Sequence, residues 1–274
     1  MSSVSHAFPE HRYLPVPHLR PAYDELKRIG GERARHGRAV ICGMARDVAE
    51  RLPRVLPAVE SVAGLFHEHR IIVYENDSTD ATPEALASWC CEDKRRRTLI
   101  SEALGKPKFG SIRSGERGNQ NCGYRERCRT MAGELAPNFE YVIVLDLDLH
   151  RFSLDGIRHS LGHNDWDMIG SNGLNIQHGR VVQNDVWAWR EHTWAPRTLQ
   201  EIHPHVYQRG LPMIRLLSCF GGLGLYRMPA YLAGEYIPEG DIEHVSLHKS
   251  MARAGFGRIF LNPSQIVLYE CIPD

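Results

Sequence analysis

Two aspartates spaced i, i+2, Asp146 and Asp148, close an apolar run that begins at Tyr141. The run is of strand type, and in a strand residues two apart face the same side. Two carboxylates held side by side at a strand end do not both leave water cheaply. They call for a divalent cation or a partner that brings one. A second acidic group, Glu75 and Asp77, follows another apolar run at residues 70–74. Polar turn chemistry accounts for Ser78, Asp80 and Thr82 nearby, but it leaves these two acids unexplained. A third cluster, residues 239–248, holds Asp241 and Glu243, and either can orient or deprotonate a hydroxyl. It also holds His244 and His248, an i, i+4 pair that puts two imidazoles on one helix face at metal-capable spacing.

These groups need elements to carry them. Residues 39–44 read as a buried strand. Asp47 is placed to cap a helix over 48–65, distorted by Pro53 and Pro57. Residues 70–74 and 97–101 read as strands, with a helix over 81–89 between them that has Pro83 in its first turn. Residues 105–120 read as a loop and 120–135 as a helix leading into the Asp146 strand. Strands alternating with helices at this spacing give an α/β sheet whose first half is parallel. Ligands of such sheets sit beyond the carboxyl ends of the strands, the edge at which Asp146 and Asp148 stand.

The second half is less periodic. Strand patterns appear at 167–171, 179–183 and 215–226, and two short ones at 256–261 and 265–269. A helix opens at Asp241 or Ser246 and runs through Ala254. Residues 1–37 read as an N-terminal arm whose helix, 22–34, is broken near Gly30 and Gly31. The halves, about 38–150 and 151–274, are expected to share one sheet.

Composition narrows the class. The chain has 274 residues, 42% of them hydrophobic and 24% charged, ample for one sizeable core. A formal net charge of zero points to neither nucleic acid nor an anionic membrane. No stretch reaches the roughly 18 consecutive apolar residues of a membrane span, and the start shows no secretory pattern. The seven cysteines are odd in number and include no CxxC, which argues for a reducing, cytoplasmic setting.

In order, these clusters resemble the GT-A glycosyltransferases, a superfamily of nucleotide-sugar-dependent enzymes. The segment Tyr74-Glu-Asn-Asp-Ser-Thr-Asp-Ala-Thr82 is similar to that superfamily's acidic turn after the second strand. The Asp146-x-Asp148 strand is similar to its DxD motif. In sequence flavour the chain is similar to the fungal capsule-associated mannosyltransferase family. The resemblance covers about 38–263. It implies a single Rossmann-like, mostly parallel central sheet flanked by helices, with a mixed second half. It also implies a Mn²⁺ or Mg²⁺ ion, a GDP- or UDP-sugar donor, and transfer to a hydroxyl acceptor such as a glycan. Asp146 and Asp148 would then contact ribose and metal, with His244 or His248 completing the metal shell. Glu75, Asp77 and Arg46 would lie at the nucleoside. Arg125 and Arg129, an i, i+4 pair, would neutralise the diphosphate or touch the base, unless they form a solvated basic face.

Gly221 and Gly222 lie in a glycine run without GxGxxG spacing. Their loop would let the donor sugar approach backbone, or else mark close packing. Asp241 or Glu243 would serve the acceptor. Asp185, Trp187 and Arg190 would bind sugar or acceptor, since aromatic faces stack on sugar C–H groups and acid and base groups hydrogen-bond hydroxyls. Trp at such positions is equally a core residue. Two departures stand out: Glu75-Asn76 replaces a common Asp pair, and His150 follows the motif where an acid is sometimes found. A base at Glu243 favours inversion at the sugar, whereas similarity to the capsule mannosyltransferases favours retention. Rival readings are a metal-dependent phosphohydrolase, a nucleotidyltransferase, and a non-catalytic carbohydrate-binding protein.

Overall fold

The chain was analysed as a computed structural model that describes residues 7–110, 112–177, 180–183, 186–196 and 208–269. Its first half alternates strand and helix. In order these are α1 (Arg20–His36), β1 (Arg38–Ala45), α2 (Leu52–Ala63), β2 (Glu68–Asn76), α3 (Thr82–Glu92), β3 (Arg97–Glu102), α4 (Gly115–Leu135) and β4 (Tyr141–Asp146). The second half holds β5 (Arg151–Phe152), α5 (Leu154–Gly162), β6 (Met168–Gln177), β7 (Arg180–Gln183) and β8 (Ile214–Leu216). It ends with β9 (Leu223–Arg227), α6 (Met228–Ala233), α7 (Glu243–Arg253) and β10 (Ile259–Leu268).

All ten of these strands form one sheet, in the order β3-β2-β1-β4-β9-β6-β10-β5, with β7 on β6 and β8 on β10. β3, β2, β1 and β4 run parallel. β9 lies antiparallel between β4 and β6, and β6 pairs parallel with β10. The central sheet is thus mostly parallel and mixed in its second half, as the sequence implies.

The continuous apolar runs of β1 and β4 follow from burial on both faces. Ala39, Ile41, Ile143 and Leu145 join α2 and α3 in one core. Val40, Cys42, Val142 and Val144 join α4, α6 and α7 in the other. Period-two alternation delivers each set to its own layer. The strand order reverses between β1 and β4, so the crevice where ligands bind in such sheets opens between Arg46 and Asp146.

Several boundaries differ from the sequence reading. α2 begins at Leu52, with Pro53 in its first turn where the missing N–H is harmless. Asp47 does not cap it; its carboxylate accepts from the Thr79 amide and Lys108 instead. α4 starts at Gly115, capped by Ser114, so the expected loop is shorter. The two C-terminal runs form one strand, β10, with an irregularity between Asn262 and Ile266.

The arm helix does not break at its glycines. A Cβ on Gly30 would lie 1.7 Å from the Arg158 carbonyl oxygen, and one on Gly162 would lie 2.1 Å from that of Leu26. α1 and α5 therefore meet backbone to backbone. Arg33 adds hydrogen bonds to the carbonyls of Leu161, Gly162 and His163. A Cβ on Gly31 would meet only the Arg158 side chain, at 3.9 Å, an ordinary contact. Gly30→Ala is expected to cost about 1–3 kcal/mol by overpacking. Gly31→Ala is expected to stabilise by up to about 1 kcal/mol through helix propensity. Urea denaturation of the two variants checks both signs.

Candidate active site

β4 ends at Asp146, and the chain turns. Leu147 and Leu149 are buried in the core, while Asp148 is exposed, so the two aspartates share the outer side. The Leu147 amide donates to the Met44 carbonyl at 3.3 Å, which ties the turn to the end of β1. Arg51 donates to the Asp148 main-chain oxygen at 2.5 Å. The Asp148 carboxylate itself is 53% exposed and, among the described residues, pairs with Arg51 at 4.0 Å.

The glycine loop touches this turn. Gly222 accepts from the Asp146 amide at 3.1 Å. Gly221 and Gly222 have φ of 69° and 84°, the left-handed region that favours glycine. A Cβ on Gly221 would lie 1.9 Å from the Ser171 carbonyl oxygen, and one on Gly222 2.7 Å from the Tyr269 hydroxyl. Close packing is thus sufficient reason for both glycines.

Arg125 is buried beside Asp146. Its Nη2 donates to Asp146 Oδ1 at 2.6 Å, and its Nε donates to Glu243 Oε1 at 3.3 Å. The guanidinium lies over the Phe220 ring at 5.2 Å. The face of α4 that reads as small and apolar (Gly118, Cys122, Cys128, Ala132) therefore includes an arginine. Burial pushes the Asp146 carboxyl up, Arg125 pulls it back, and the Asp148 charge raises it again. The net shift is upward, as expected of a carboxylate short of positive charge.

Glu243 opens α7, where a helix N-terminus favours an anion. Its Oε2 and both ring nitrogens of His244 are buried without a hydrogen-bond partner among the described residues. His244 stacks on Phe220 at 3.5 Å, with Nε2 3.6 Å from Glu243 Oε1. Buried polar atoms without a protein partner are uncommon, and three of them together single this spot out. Asp241 is engaged differently. Its Oδ1 accepts from Arg190 Nη2 and from the Ile242 amide, both at 2.8 Å. Of the two acids, Glu243 is the one with a buried oxygen that has no partner among the described residues.

Other residues expected at the site hold structure. Glu75 is buried and accepts from the Ser78 amide and the Ser101 hydroxyl. Asp77 accepts from the amides of Leu104, Gly105 and Lys106, so it anchors the loop after β3. Arg46 donates to the carbonyls of Lys106 and Pro107 and closes the same loop. Arg129 does not join Arg125; it pairs with Glu126 and donates to the Leu232 carbonyl. Arg190 is no exposed sugar contact. Its side chain is fully buried and donates to the carbonyls of Trp187, Trp189 and Trp194 as well as to Asp241. Trp187 is half-buried, with the Arg117 guanidinium over its ring at 5.6 Å. Asp185 lies outside the described residues.

The two histidines stand in different surroundings. Among the described residues, no three His, Cys, Asp or Glu side chains group closely enough to hold a metal ion. His248 has both ring nitrogens engaged, by the Ser218 hydroxyl at 2.8 Å and the Tyr226 hydroxyl at 3.1 Å. What fits a divalent cation is the aspartate pair: Asp148 exposed, Asp146 bound through Oδ1 alone, two hard oxygen donors in a turn.

Burial lowers the pKa of His248 to about 3, and that of His159 likewise to about 3. Both are neutral in the fold. Their folded values lie below the unfolded value, so the stability they carry is complete above about pH 6.5 and falls as pH drops toward 3. By pH 5.5 the two together are expected to cost about 3 kcal/mol. Unfolding followed at pH 7.5 and 5.5 should show the loss, and His159→Asn with His248→Asn should flatten it.

The fold is of the GT-A type. A mannosyltransferase of Pyrobaculum calidifontis, solved with GDP-Man and Mn²⁺, superposes with a TM-score of 0.52 at 10% identity, over 94% of this chain and 68% of that one. GalNAc-T7, solved with UDP, GalNAc and Mn²⁺, superposes with a TM-score of 0.52 at 13% identity, over 93% of this chain and 53% of that one. S. aureus TarS 1-349 aligns over 84% of this chain at 12% identity and a TM-score of 0.48. The chain spans 59% of the TarS fragment's length. At these identities the likeness is one of fold. No protein-family model matches the chain, and no curated protein does. No helix among the described residues is long and apolar enough to cross a membrane.

Proposed function

We propose that this chain is a metal-dependent glycosyltransferase that moves a sugar from a nucleoside-diphosphate sugar to a hydroxyl acceptor. The observation that carries the reading is the turn after β4. Asp146 and Asp148 share its outer side at the switch point of the sheet, with the glycine loop on one side and Glu243 within reach of the same arginine. Asp146 and Asp148 would hold Mn²⁺ or Mg²⁺. When bound, the ion offsets charge on the departing diphosphate.

The chain's own residues supply the rest. The β1–β4 crevice, walled by the loop that Asp77 and Arg46 close, receives the nucleoside. Glu243 Oε2 takes the proton of the acceptor hydroxyl, and the neutral His244 offers one donor and one acceptor beside it. The GDP-Man, UDP and Mn²⁺ of the fold neighbours suggest the donor class and the ion.

Calorimetric scanning with GDP and UDP, GDP-Man and UDP-GalNAc, each with and without Mn²⁺, tests the proposal. One nucleotide with Mn²⁺ should raise the unfolding temperature, by about 2.7 kcal/mol of stability at a hundred times its Kd. No stabilisation by any of them removes the reading.

A further inference from the structure

Asp146 and Glu243 stand on different elements and serve different partners in the reading above. Arg125 joins them. Its guanidinium is buried, with Nη2 on Asp146 Oδ1 at 2.6 Å and Nε on Glu243 Oε1 at 3.3 Å. We infer that Arg125 is a positioning residue that couples the two acids, so that cation binding at Asp146 depends on Glu243. The inference rests on the assignment of Asp146 and Asp148 as the metal pair.

Three facts carry it. First, two carboxylates share one cation, so neither is fully neutralised. A guanidinium does not lose its proton in proteins, so Arg125 has no escape by titration. Whatever weakens its hold on one acid strengthens its hold on the other. Second, the contacts are selective by atom. Arg125 occupies Oδ1 of Asp146 and Oε1 of Glu243, and Oε2 of Glu243 has no partner among the described residues. The arginine thus fixes which oxygen of Glu243 is left for another partner.

Third, the described residues give Arg125 no other anion within pairing distance. Phe220 covers its face, and His244, neutral because burial first and then the Arg125 charge hold its pKa far down, contributes none. A divalent ion that draws on Asp146 would free Arg125 for Glu243 and hold that side chain more firmly. By reciprocity, neutralising Glu243 returns Arg125 wholly to Asp146 and opposes the ion.

The test uses Mn²⁺ alone, with the free ion counted by its electron paramagnetic resonance signal, on the wild-type chain, Glu243→Gln, Arg125→Met and the double variant. Glu243→Gln should weaken Mn²⁺ binding about fivefold with Arg125 present and less than about twofold in the Arg125→Met background. Arg125→Met alone should tighten Mn²⁺. Arg125→Lys, which keeps the charge without the two-point fork, replaces it if the methionine variant does not fold, and should also lose the dependence. An equal effect of Glu243→Gln in both backgrounds overturns the coupling while leaving the metal pair intact. No Mn²⁺ binding by the wild-type chain overturns the metal pair and the coupling with it.

Discussion

Glu243→Gln is expected to lower sugar transfer by about 10²–10⁴-fold while nucleotide binding in the presence of Mn²⁺ stays within about tenfold of wild type. The substitution keeps size and one hydrogen-bonding oxygen but removes the proton acceptor. Glu243 is selected over Asp241 by its surroundings. Asp241 is held by Arg190 and the Ile242 amide, with Lys249 at 3.8 Å, whereas Glu243 Oε2 is buried with no partner among the described residues. Asp241→Asn should therefore act mainly on stability, because it leaves the buried Arg190 without its anion. The assay measures transfer, or release of free sugar from the donor where the acceptor is unknown, beside calorimetric binding of the nucleotide. Full activity in Glu243→Gln removes its role at the acceptor.

Asp148→Ala is expected to weaken Mn²⁺-dependent nucleotide binding by about a hundredfold or more, with stability changed by no more than about 0.5 kcal/mol. The separation of the two effects follows from the turn. The fold uses the Asp148 main-chain oxygen, which accepts from Arg51, and not its carboxylate. The ion pair with Arg51 at 4.0 Å is half exposed on both sides and contributes little. Asp146→Ala should differ, since it also strands the buried Arg125 and so lowers stability. Titration with GDP and UDP, with Mn²⁺ and with EDTA, reads the first effect, and urea denaturation reads the second. Unchanged metal-dependent binding in Asp148→Ala would show that the aspartate pair is not the metal site.

Period-two runs and helical spacing are properties of local sequence, and they place β1, β2, β4 and the sheet edge correctly. The Asp146 and Asp148 pair is legible for the same reason: an i, i+2 spacing at a strand end reaches the same side whatever packs around it. Gly30 and Gly31 show the limit. Their composition reads as a helix break, yet the reason for Gly30 is α5, more than a hundred residues away in the chain. The histidine spacing shows the same limit. The i, i+4 spacing puts His244 and His248 on one face of α7, but that face turns to Phe220, Ser218 and Tyr226.

Arg125 was half legible. Its place on the Cys122, Cys128 and Ala132 stripe marks it as inward-facing, while arginine's usual exposure argues the reverse. Spacing along the chain thus determined that two carboxylates face one way at the end of β4. Only the tertiary structure decided that a buried arginine binds one of them to Glu243, that Asp241, Glu75 and Asp77 are engaged elsewhere, and that the Ser218 and Tyr226 hydroxyls take both ring nitrogens of His248. The physical reason is that a side chain's chemistry depends on which hydrogen-bond partners reach it first, and those partners arrive from distant segments.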